Sequence, residues 1–275
     1  MATNSDVQRF MILGAARTGS NFLLSLLSAH PYIQTYGELF NLDSLPKESL
    51  LEALADPIAY LRRRVYRVHG PEIAAVGFKM FYYHLTKYYF QKAIDVSETS
   101  PQLQEKFLQL SSFIESNYEW DTLYGRFQAT WEFLRSDGSL AVIHLKRRNA
   151  LHALMSLKTA FLTNRWLSLG SRSQAAPAVH LDPDECCRYF DMLETYASEA
   201  DAAFRDHPKI EVIYEDLVGK QRNTLQRIFA FLRVPYQPVT ARMRKQNRVS
   251  PSEALGNYNQ LKNYFRHSRW SAFFE

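Results

Sequence analysis

A short turn between an apolar segment and an amphipathic helical pattern constrains the fold of this chain more than any other feature. The turn carries two glycines and one cation, and it reads Gly-Ala-Ala-Arg-Thr-Gly-Ser over residues 14–20. A buried strand, a tight turn and a helix in this order direct backbone N–H groups at a phosphate. The sequence therefore predicts a phosphate-binding turn directly after the first strand.

The two glycines of this turn keep the spacing of the loop that binds nucleoside triphosphates, but the residues after them differ. Gly14 and Gly19 match the G-x-x-x-x-G pattern. A triphosphate loop continues with Lys and then Ser or Thr, which contact the terminal phosphates and Mg²⁺. Here Ser20 and Asn21 follow, and the cation lies inside the turn at Arg17. The turn is therefore expected to bind a phosphate ester rather than a magnesium-bound triphosphate.

Four apolar segments predict an α/β fold. They are interpreted as buried parallel strands, with helical patterns between and after them, over Phe10–Leu13, Ala74–Met80, Leu140–Leu145 and Ile210–Tyr214. This arrangement predicts a P-loop-like parallel sheet flanked by helices on both faces. The turn follows the first strand, which is where such folds bind phosphate.

The chain is long enough for one large domain, and we expect a single domain over residues 1–275. A tyrosine-rich segment at about 81–134 is helical in pattern, which indicates a helical insertion on the substrate side. The Ser, Gly, Ala and Pro content of a second segment, at about 166–184, predicts a mobile loop. Asp182 before Pro183 predicts the start of the helix that follows.

Composition limits the classes of ligand and compartment. The formal net charge is +5 and the sequence pI is about 9.1, which suits an anionic ligand. Cys186 and Cys187 are adjacent, too few for a zinc cluster and poorly placed for a disulfide, so a reduced, cytoplasmic location is expected. No apolar run approaches about 18 residues, so we expect no transmembrane segment.

A second basic segment lies where the third predicted strand ends. Lys146, Arg147 and Arg148 follow the apolar residues 140–145, and a helical pattern begins directly after them. Arg148 and Ser156 are eight residues apart, just over two helical turns, so they point to similar sides and are placed to share one phosphate. Alone, the segment is more typical of a solvated strand end. Together with the phosphate turn, the shared-phosphate interpretation is favoured.

The turn and the Arg–Ser pair together resemble the nucleotide-binding elements of the sulfotransferases that use 3′-phosphoadenosine 5′-phosphosulfate (PAPS). Arg17 stands where Lys is usual, which is similar to the bacterial branches of that family. Further segments resemble the nodulation-factor sulfotransferases and their bacterial relatives; these are residues 29–31, 36–41, 76–79, 214–217 and 269–275. The resemblance therefore covers most of the chain.

This resemblance implies a PAPS-binding site with two parts and no metal. In the first part, the turn and the start of the helix hold the 5′-phosphosulfate; these residues are Arg17, Thr18, Gly19, Ser20, Asn21 and Phe22. In the second part, Arg148 and Ser156 hold the 3′-phosphate. A late basic loop contacts the same phosphate in relatives, and Lys245 and Arg248 are the candidates, with a solvated loop as the alternative. The product nucleotide is 3′-phosphoadenosine 5′-phosphate (PAP).

The resemblance also implies in-line transfer of the sulfuryl group to an acceptor hydroxyl. Glu38 is the expected base, and partial burial would have to raise its pKa above the ordinary value of about 4.3. His84 is the rival base. Lys79 is placed to contact the sulfuryl or bridging oxygen, and Arg17 to stabilise the departing nucleotide. The alternatives are structural: a carboxylate that caps a turn or pairs with an arginine, a packed histidine and a solvated lysine.

The resemblance favours a carbohydrate or glycolipid acceptor, with a small secondary metabolite, sulfated on oxygen or nitrogen, as the alternative. Five aromatic residues are suited either to stacking on sugar rings or to the core: Tyr82, Tyr83, Tyr88, Tyr89 and Phe90. A nucleotide kinase or triphosphatase is a second class, which the residues after Gly19 disfavour. A non-catalytic anion binder is a third. We expect no nucleic-acid partner, because aromatic residues are not interleaved with the cations, and no motif indicates an oligomeric state.

Overall fold

The computed structural model describes residues 7–86, 99–166, 178–241 and 250–275, and within them the core is a five-stranded parallel sheet. The strand order is β2-β3-β1-β4-β5. The strands are β1 (Gln8–Gly14), β2 (Ile33–Glu38), β3 (Ala75–Phe81), β4 (Ala141–Lys146) and β5 (Lys209–Ile213). The predicted α/β class is confirmed, and all four predicted strands are present within two residues of their expected bounds.

The edge strand β2 was not predicted. Only its first residue, Ile33, is buried, while the others are half-buried or exposed, so β2 lacks the continuous apolar run of a strand covered on both faces. A register shift between Tyr36 and Glu38 places Glu38 opposite Lys79 of β3. Glu38 therefore lies at the end of a strand and is fixed by sheet pairing.

Helices cover both faces of the sheet. They are α1 (Ser20–Leu27), α2 (Lys47–Ala55), α3 (Pro57–Val65), α4 (Pro101–Asn117), α5 (Trp120–Ser136), α6 (Ala150–Thr163), α7 (Pro183–Ala203), α8 (Tyr214–Gly219), α9 (Gln221–Phe231), α10 (Pro251–Ala254) and α11 (Tyr258–Tyr264), followed by a 3-10 helix at Ser271–Phe274. Within the described residues, no helix combines the length and apolarity that crossing a bilayer requires.

Alternation along the strands divides the core between the two faces. On β1, Met11 and Leu13 pack against α2, α3 and α5, whereas Phe10 and Ile12 pack against α1 and α9. A third apolar cluster joins α6 and α7 to the C-terminal helices. The sheet thus brings the C-terminal ends of its parallel strands together, and the phosphate turn begins at the end of β1.

The two segments predicted between the strands are partly described. The helical pattern expected at about 81–134 appears as α4 and α5, and three α5 residues are buried in the core, Leu123, Phe127 and Leu134. Residues 87–98 of that segment, and 167–177 of the loop expected at about 166–184, lie outside the described residues. The predicted helix start is confirmed, because the side chain of Asp182 caps α7 by accepting from two of its backbone N–H groups.

His144 on β4 is buried and connects three parts of the fold. Its Nε2 lies 2.6 Å from Oη of Tyr82, and its Nδ1 lies 3.0 Å from Oδ1 of Asp201. Asp201 also accepts hydrogen bonds from Lys146 (2.7 Å) and Lys209 (2.9 Å). Because a carboxylate only accepts, Nδ1 carries the proton and the Tyr82 hydroxyl donates to Nε2. The hydroxyl of Tyr82 is thus committed to the core.

The charge of Asp201 makes the stability of the fold depend on pH. Burial alone would raise the pKa of Asp201, but hydrogen bonds from Lys146, Lys209 and His144 hold it well below its ordinary value. This contribution is present above the unfolded pKa of about 3.9 and is lost as pH falls below that value. We therefore expect Asp201→Asn to lower the free energy of unfolding at pH 7 by about 1–2 kcal/mol, a value reduced for solvent screening.

Urea unfolding of both proteins at pH 7 and at pH 3.5 checks this prediction. The difference between wild type and Asp201→Asn should shrink at the lower pH, because the wild-type carboxylate then begins to take up a proton in the unfolded chain. An equal difference at both pH values would contradict the proposed electrostatic origin.

Candidate active site

The phosphate turn contains two residues with left-handed backbone conformation. Arg17 has φ 64° and Gly19 has φ 88°, and the right-handed helix α1 begins directly after Gly19. A left-handed residue next to a right-handed one forms a concave set of backbone N–H groups that binds anions. The turn predicted from sequence therefore has the backbone geometry of an anion site.

The N-terminus of α1 adds to this site. Its cap residue is Gly19, no side chain within the described residues caps it, and its first turn contains no acid. The first N–H groups of a helix lack intrahelical acceptors and carry a partial positive charge. A set of such donors next to an arginine fits a phosphate ester.

Both glycines of the turn are required by close contacts. A Cβ at Gly14 would lie 2.5 Å from the carbonyl oxygen of Leu145, and one at Gly19 would lie 2.1 Å from Cδ2 of Tyr214. Such distances are far inside van der Waals contact. Leu145 of β4 and Tyr214, the first residue of α8, therefore lie directly against the turn and fix its shape.

The guanidinium of Arg17 connects the turn to α6. Its Nε donates to Oγ of Ser156 at 3.0 Å, and its Nη1 donates to the carbonyl oxygen of Trp166 at 3.0 Å. Burial and the neighbouring Arg147 lower the pKa of Arg17. The sequence paired Ser156 with Arg148 around one phosphate, whereas in the structure the Ser156 hydroxyl accepts from Arg17 of the turn.

The three consecutive cations after β4 have three different partners. Lys146 pairs with Asp201 and Glu211 at 2.7 Å each. Arg148 is 58% exposed and donates to Oδ2 of Asp216 at 2.6 Å, so in this arrangement its guanidinium does not meet Ser156. Arg147 turns toward the phosphate turn and is only 12% exposed. A run of three cations in the sequence does not reveal that their side chains have different partners and different exposure.

Glu38 and Lys79 form a buried ion pair beside the turn. Lys79 Nζ lies 2.5 Å from Oε1 of Glu38, and Lys79 is 1% exposed. The ammonium also donates to Oδ1 of Asn21, the second residue of α1. The other oxygen of Glu38 accepts from the amide of Asn41. A carboxylate, a cation and the phosphate turn are thus connected by hydrogen bonds.

The pKa of Glu38 departs from its expected direction. Burial acts as predicted and raises the pKa, but the charge of Lys79, the nearby His84 and the hydrogen bonds from Lys79 and Asn41 lower it below the ordinary value. The prediction of a raised pKa was therefore wrong for this arrangement. The reason is a partner on another strand, which the composition around Glu38 does not reveal.

His84 is buried beside the pair in a neutral state. Burial lowers the pKa of His84 to about 4. Its Nδ1 accepts the backbone N–H of Phe81 at 3.2 Å, so the single proton of the neutral ring lies on Nε2. Neither nitrogen then offers a free lone pair at neutral pH. This geometry favours Glu38 over His84 as a proton acceptor.

The other predicted site residues lie at the turn or outside the described residues. Thr18 is buried and donates from Oγ1 to the carbonyl oxygen of Ala15 at 2.7 Å. Ser20 is buried in the first turn of α1, and Phe22 packs against the apolar core on that face of the sheet. Lys245 and Arg248 lie in 242–249, outside the described residues.

Three residues at the turn were not predicted as part of the site: Arg147, Trp166 and Tyr214. Trp166 contributes a backbone carbonyl, which leaves no signal in a sequence. Tyr214 was interpreted as the end of a strand, and the close approach of Gly19 that gives it a role appears only in three dimensions. Across the described residues, no three His, Cys, Asp or Glu side chains come together as metal ligands.

Comparison of the sequence with known proteins identifies one family. The model of the Sulfotransferase family matches residues 9–238. Nodulation protein H of Rhizobium tropici is 26% identical over 270 residues, which cover 97% of this chain and 92% of that protein. Nodulation protein H of Rhizobium meliloti (strain 1021) is 27% identical over 278 residues, covering 98% and 95%.

Two solved structures are also similar. The sulfotransferase from Alicyclobacillus acidocaldarius has a TM-score of 0.45 and 16% identity, over 100% of this chain and 96% of that one. The sulfotransferase domain of the Synechococcus PCC 7002 olefin synthase has a TM-score of 0.40 and 15% identity, over 93% and 83%.

The buried pair gives a prediction for stability. Glu38→Gln leaves the Lys79 ammonium buried without a counter-charge, and the expected loss in the free energy of unfolding is about 3–5 kcal/mol. Lys79→Met instead leaves the Glu38 carboxylate without its counter-charge. Because the double variant removes both charges, its loss should be smaller than the sum of the two single losses.

Chemical unfolding of the four proteins measures this coupling. The exposed pair of Arg63 and Glu52, 3.3 Å apart, is the matched control, and its cycle should show no measurable coupling. Additive losses at Glu38 and Lys79 would show that the buried pair is not energetically linked.

Proposed function

This chain belongs to the Sulfotransferase family, and we propose that it transfers the sulfuryl group of PAPS to a hydroxyl of a carbohydrate or glycolipid. The observation that carries the proposal is the connection from Asn21 through Lys79 to Glu38. It puts a buried cation one hydrogen bond from Asn21, the second residue of α1, and a carboxylate one hydrogen bond further away. An anion site with an adjacent proton acceptor is what group transfer to a hydroxyl requires.

The donor chemistry assigns the turn a role in charge stabilisation. PAPS, when bound, supplies an activated sulfuryl group on a 5′-phosphate. The backbone N–H groups of 18–21, the N-terminus of α1 and the Arg17 guanidinium are the groups that would hold that phosphate. As in phosphoryl transfer, charge develops on the leaving oxygen, and fixed donors stabilise it without reorganisation.

The 3′-phosphate is assigned to Arg148 and Ser156, with Lys245 or Arg248 as a further contact. The exposed guanidinium of Arg148 pairs with Asp216 at the surface, a contact that costs little to exchange for a phosphate. Ser156 lies one hydrogen bond from Arg17, so the proposed 3′-phosphate site is next to the turn, as the two phosphates of one nucleotide require.

Glu38 would take the proton of the acceptor hydroxyl as the oxygen bonds to sulfur and the product nucleotide leaves. While Lys79 pairs with Glu38, the low pKa of the carboxylate makes it a weak base. If Lys79 donates instead to an oxygen of the transferring group, Glu38 loses the neighbour that lowers its pKa while burial persists. Its basicity then increases at the step that needs it.

The acceptor class rests on similarity alone. The relatives named Nodulation protein H match almost the whole chain at 26–27% identity, which supports a carbohydrate-type acceptor. Transfer of labelled sulfate from PAPS to a panel of oligosaccharides, beside a small phenol and a small amine, tests this choice. Labelling of only the small acceptors would move the assignment to a secondary metabolite.

Calorimetric titration with PAP, beside ATP with Mg²⁺, tests the donor site. We expect micromolar binding of PAP and no comparable binding of ATP, because Ser20 and Asn21 replace the residues that hold terminal phosphates and Mg²⁺. Arg148→Ala should weaken PAP binding by about 1.5–3 kcal/mol, the scale of a hydrogen bond to a charged group. Arg205→Ala, at a residue whose side chain is 77% exposed, is the control. Tight ATP binding, or no PAP binding, would contradict the proposal.

Two variants separate the candidate bases. Glu38→Gln should leave the Kd of PAP unchanged and lower turnover by about 10²–10⁴-fold, the range of a general base. His84→Asn keeps an acceptor near the Phe81 N–H and should cost far less. Turnover is followed as labelled sulfate on the acceptor that the panel identifies. Normal turnover of Glu38→Gln with an inactive His84→Asn would transfer the role to His84.

A further inference from the structure

Arg147 is the one cation of the run after β4 that faces the phosphate turn, and no motif singles it out. Its Nη1 donates to the carbonyl oxygen of Arg17 at 2.8 Å. Its guanidinium lies over the ring of Tyr214, 4.8 Å from the centroid. Its Nε is buried with no hydrogen-bond partner among the described residues, and the nearest carboxylate oxygen, on Glu215, is 3.9 Å away.

The carbonyl that Arg147 holds belongs to a strained residue. A non-glycine residue in the left-handed region is less stable than in the right-handed one, and it stays there only where surrounding contacts hold it. Arg17 has φ 64°. Its side chain is fixed by Ser156 and Trp166, and its backbone is fixed by Arg147. The hydrogen bond from Arg147 therefore acts on the conformation of the turn itself.

Arg147 also acts on the second left-handed residue of the turn. The Tyr214 ring approaches Gly19 so closely that a Cβ there would lie 2.1 Å from Cδ2. The Tyr214 ring thus lies against both the Arg147 guanidinium and the Gly19 backbone, and a cation over an aromatic face is favourable. Arg147 thus contacts the turn directly at Arg17 and indirectly, through Tyr214, at Gly19.

The charge of Arg147 adds to that of Arg17. Burial lowers the pKa of Arg147, and burial and Arg147 together lower the pKa of Arg17, so the two guanidiniums repel each other in a partly dry site. Repulsion between buried like charges reduces the stability of the protein, and an anion between them reduces the repulsion. An anionic ligand bound near both guanidiniums would therefore be stabilised by them.

We propose that Arg147 is a positioning residue of the donor site, which holds the backbone of Arg17 and Gly19 in the anion-binding conformation and supplies a second positive charge behind the turn. The inference rests on the proposed function, because the anion is the phosphate of the donor. It assigns adjacent arginines different tasks: Arg148 contacts the nucleotide from the surface, and Arg147 shapes the turn from beneath.

Titration of PAP into Arg147→Met and Arg147→Lys tests this assignment. Methionine fills part of the space without charge or donor, and we expect PAP affinity to fall about 10- to 100-fold, the range for loss of a charged hydrogen bond. Lysine keeps the charge and one donor but not the planar stack, so its loss should be intermediate. Arg205→Met, at an exposed arginine, should bind PAP as the wild type does.

Thermal unfolding without nucleotide separates a donor-site role from a structural one. Because Arg147→Met removes one of two repelling charges, its Tm should equal or exceed that of the wild type, while the rise in Tm caused by PAP becomes smaller. Tyr214→Leu should weaken PAP binding as well, and its double variant with Arg147→Met should lose less than the sum, because both act on the same turn.

The outcomes distinguish this inference from the proposed function. Wild-type protein that does not bind PAP would contradict both. Wild type that binds PAP, with Arg147→Met binding equally well, would overturn only the inference. A lower Tm for Arg147→Met with unchanged PAP affinity would likewise show that Arg147 stabilises the fold and does not position the turn.

Discussion

The ion pair between Lys79 and Glu38 is the contact on which the arrangement of this site depends. It joins the end of the edge strand β2 to β3, and the bond from Lys79 to Asn21 joins both to α1. Because Lys79 is almost completely buried, its charge requires a partner, and Glu38, which the register shift in β2 places opposite Lys79, supplies one. The same charge sets the low pKa of Glu38 and helps to keep His84 neutral.

Much of the fold followed from local patterns, whereas the site depended on contacts between distant segments. The phosphate turn and four strands were predictable, because apolar runs and glycine spacing act over a few residues. Strand β2 was missed since its single buried residue, Ile33, leaves no pattern. The expected direction of the Glu38 pKa shift was wrong, because Lys79, the residue that lowers this pKa most, is far away in the sequence and adjacent only in the sheet.

The parallel topology explains why these charges meet. Every strand of the sheet runs in the same direction, so the carboxyl ends of the strands lie side by side. The residues at these ends are Gly14 of β1, Glu38 of β2, Phe81 of β3 and Lys146 of β4. The positions of these residues are set by the register of the strands and not by the loops that follow them. Glu38 lies on an edge strand and is held in position by its ion pair with Lys79 of β3, which suits the proposed role in a reaction that depends on position.

Groups that are unfavourable to bury lie at the carboxyl ends of the strands, and hydrogen-bonded polar networks lie beside them. A left-handed arginine and two adjacent guanidiniums reduce stability, and burying an ion pair has a desolvation cost that its attraction must offset. Beside them, Asp201 joins His144 to Lys146 at the end of β4. Asn149 caps α6 and donates to Phe273 of the C-terminal turn. Because these neighbours satisfy each other's polar groups, they form a rigid support beside the strained residues, and the hydrogen bond from Asn149 ties the 3-10 helix at the C-terminus to this support.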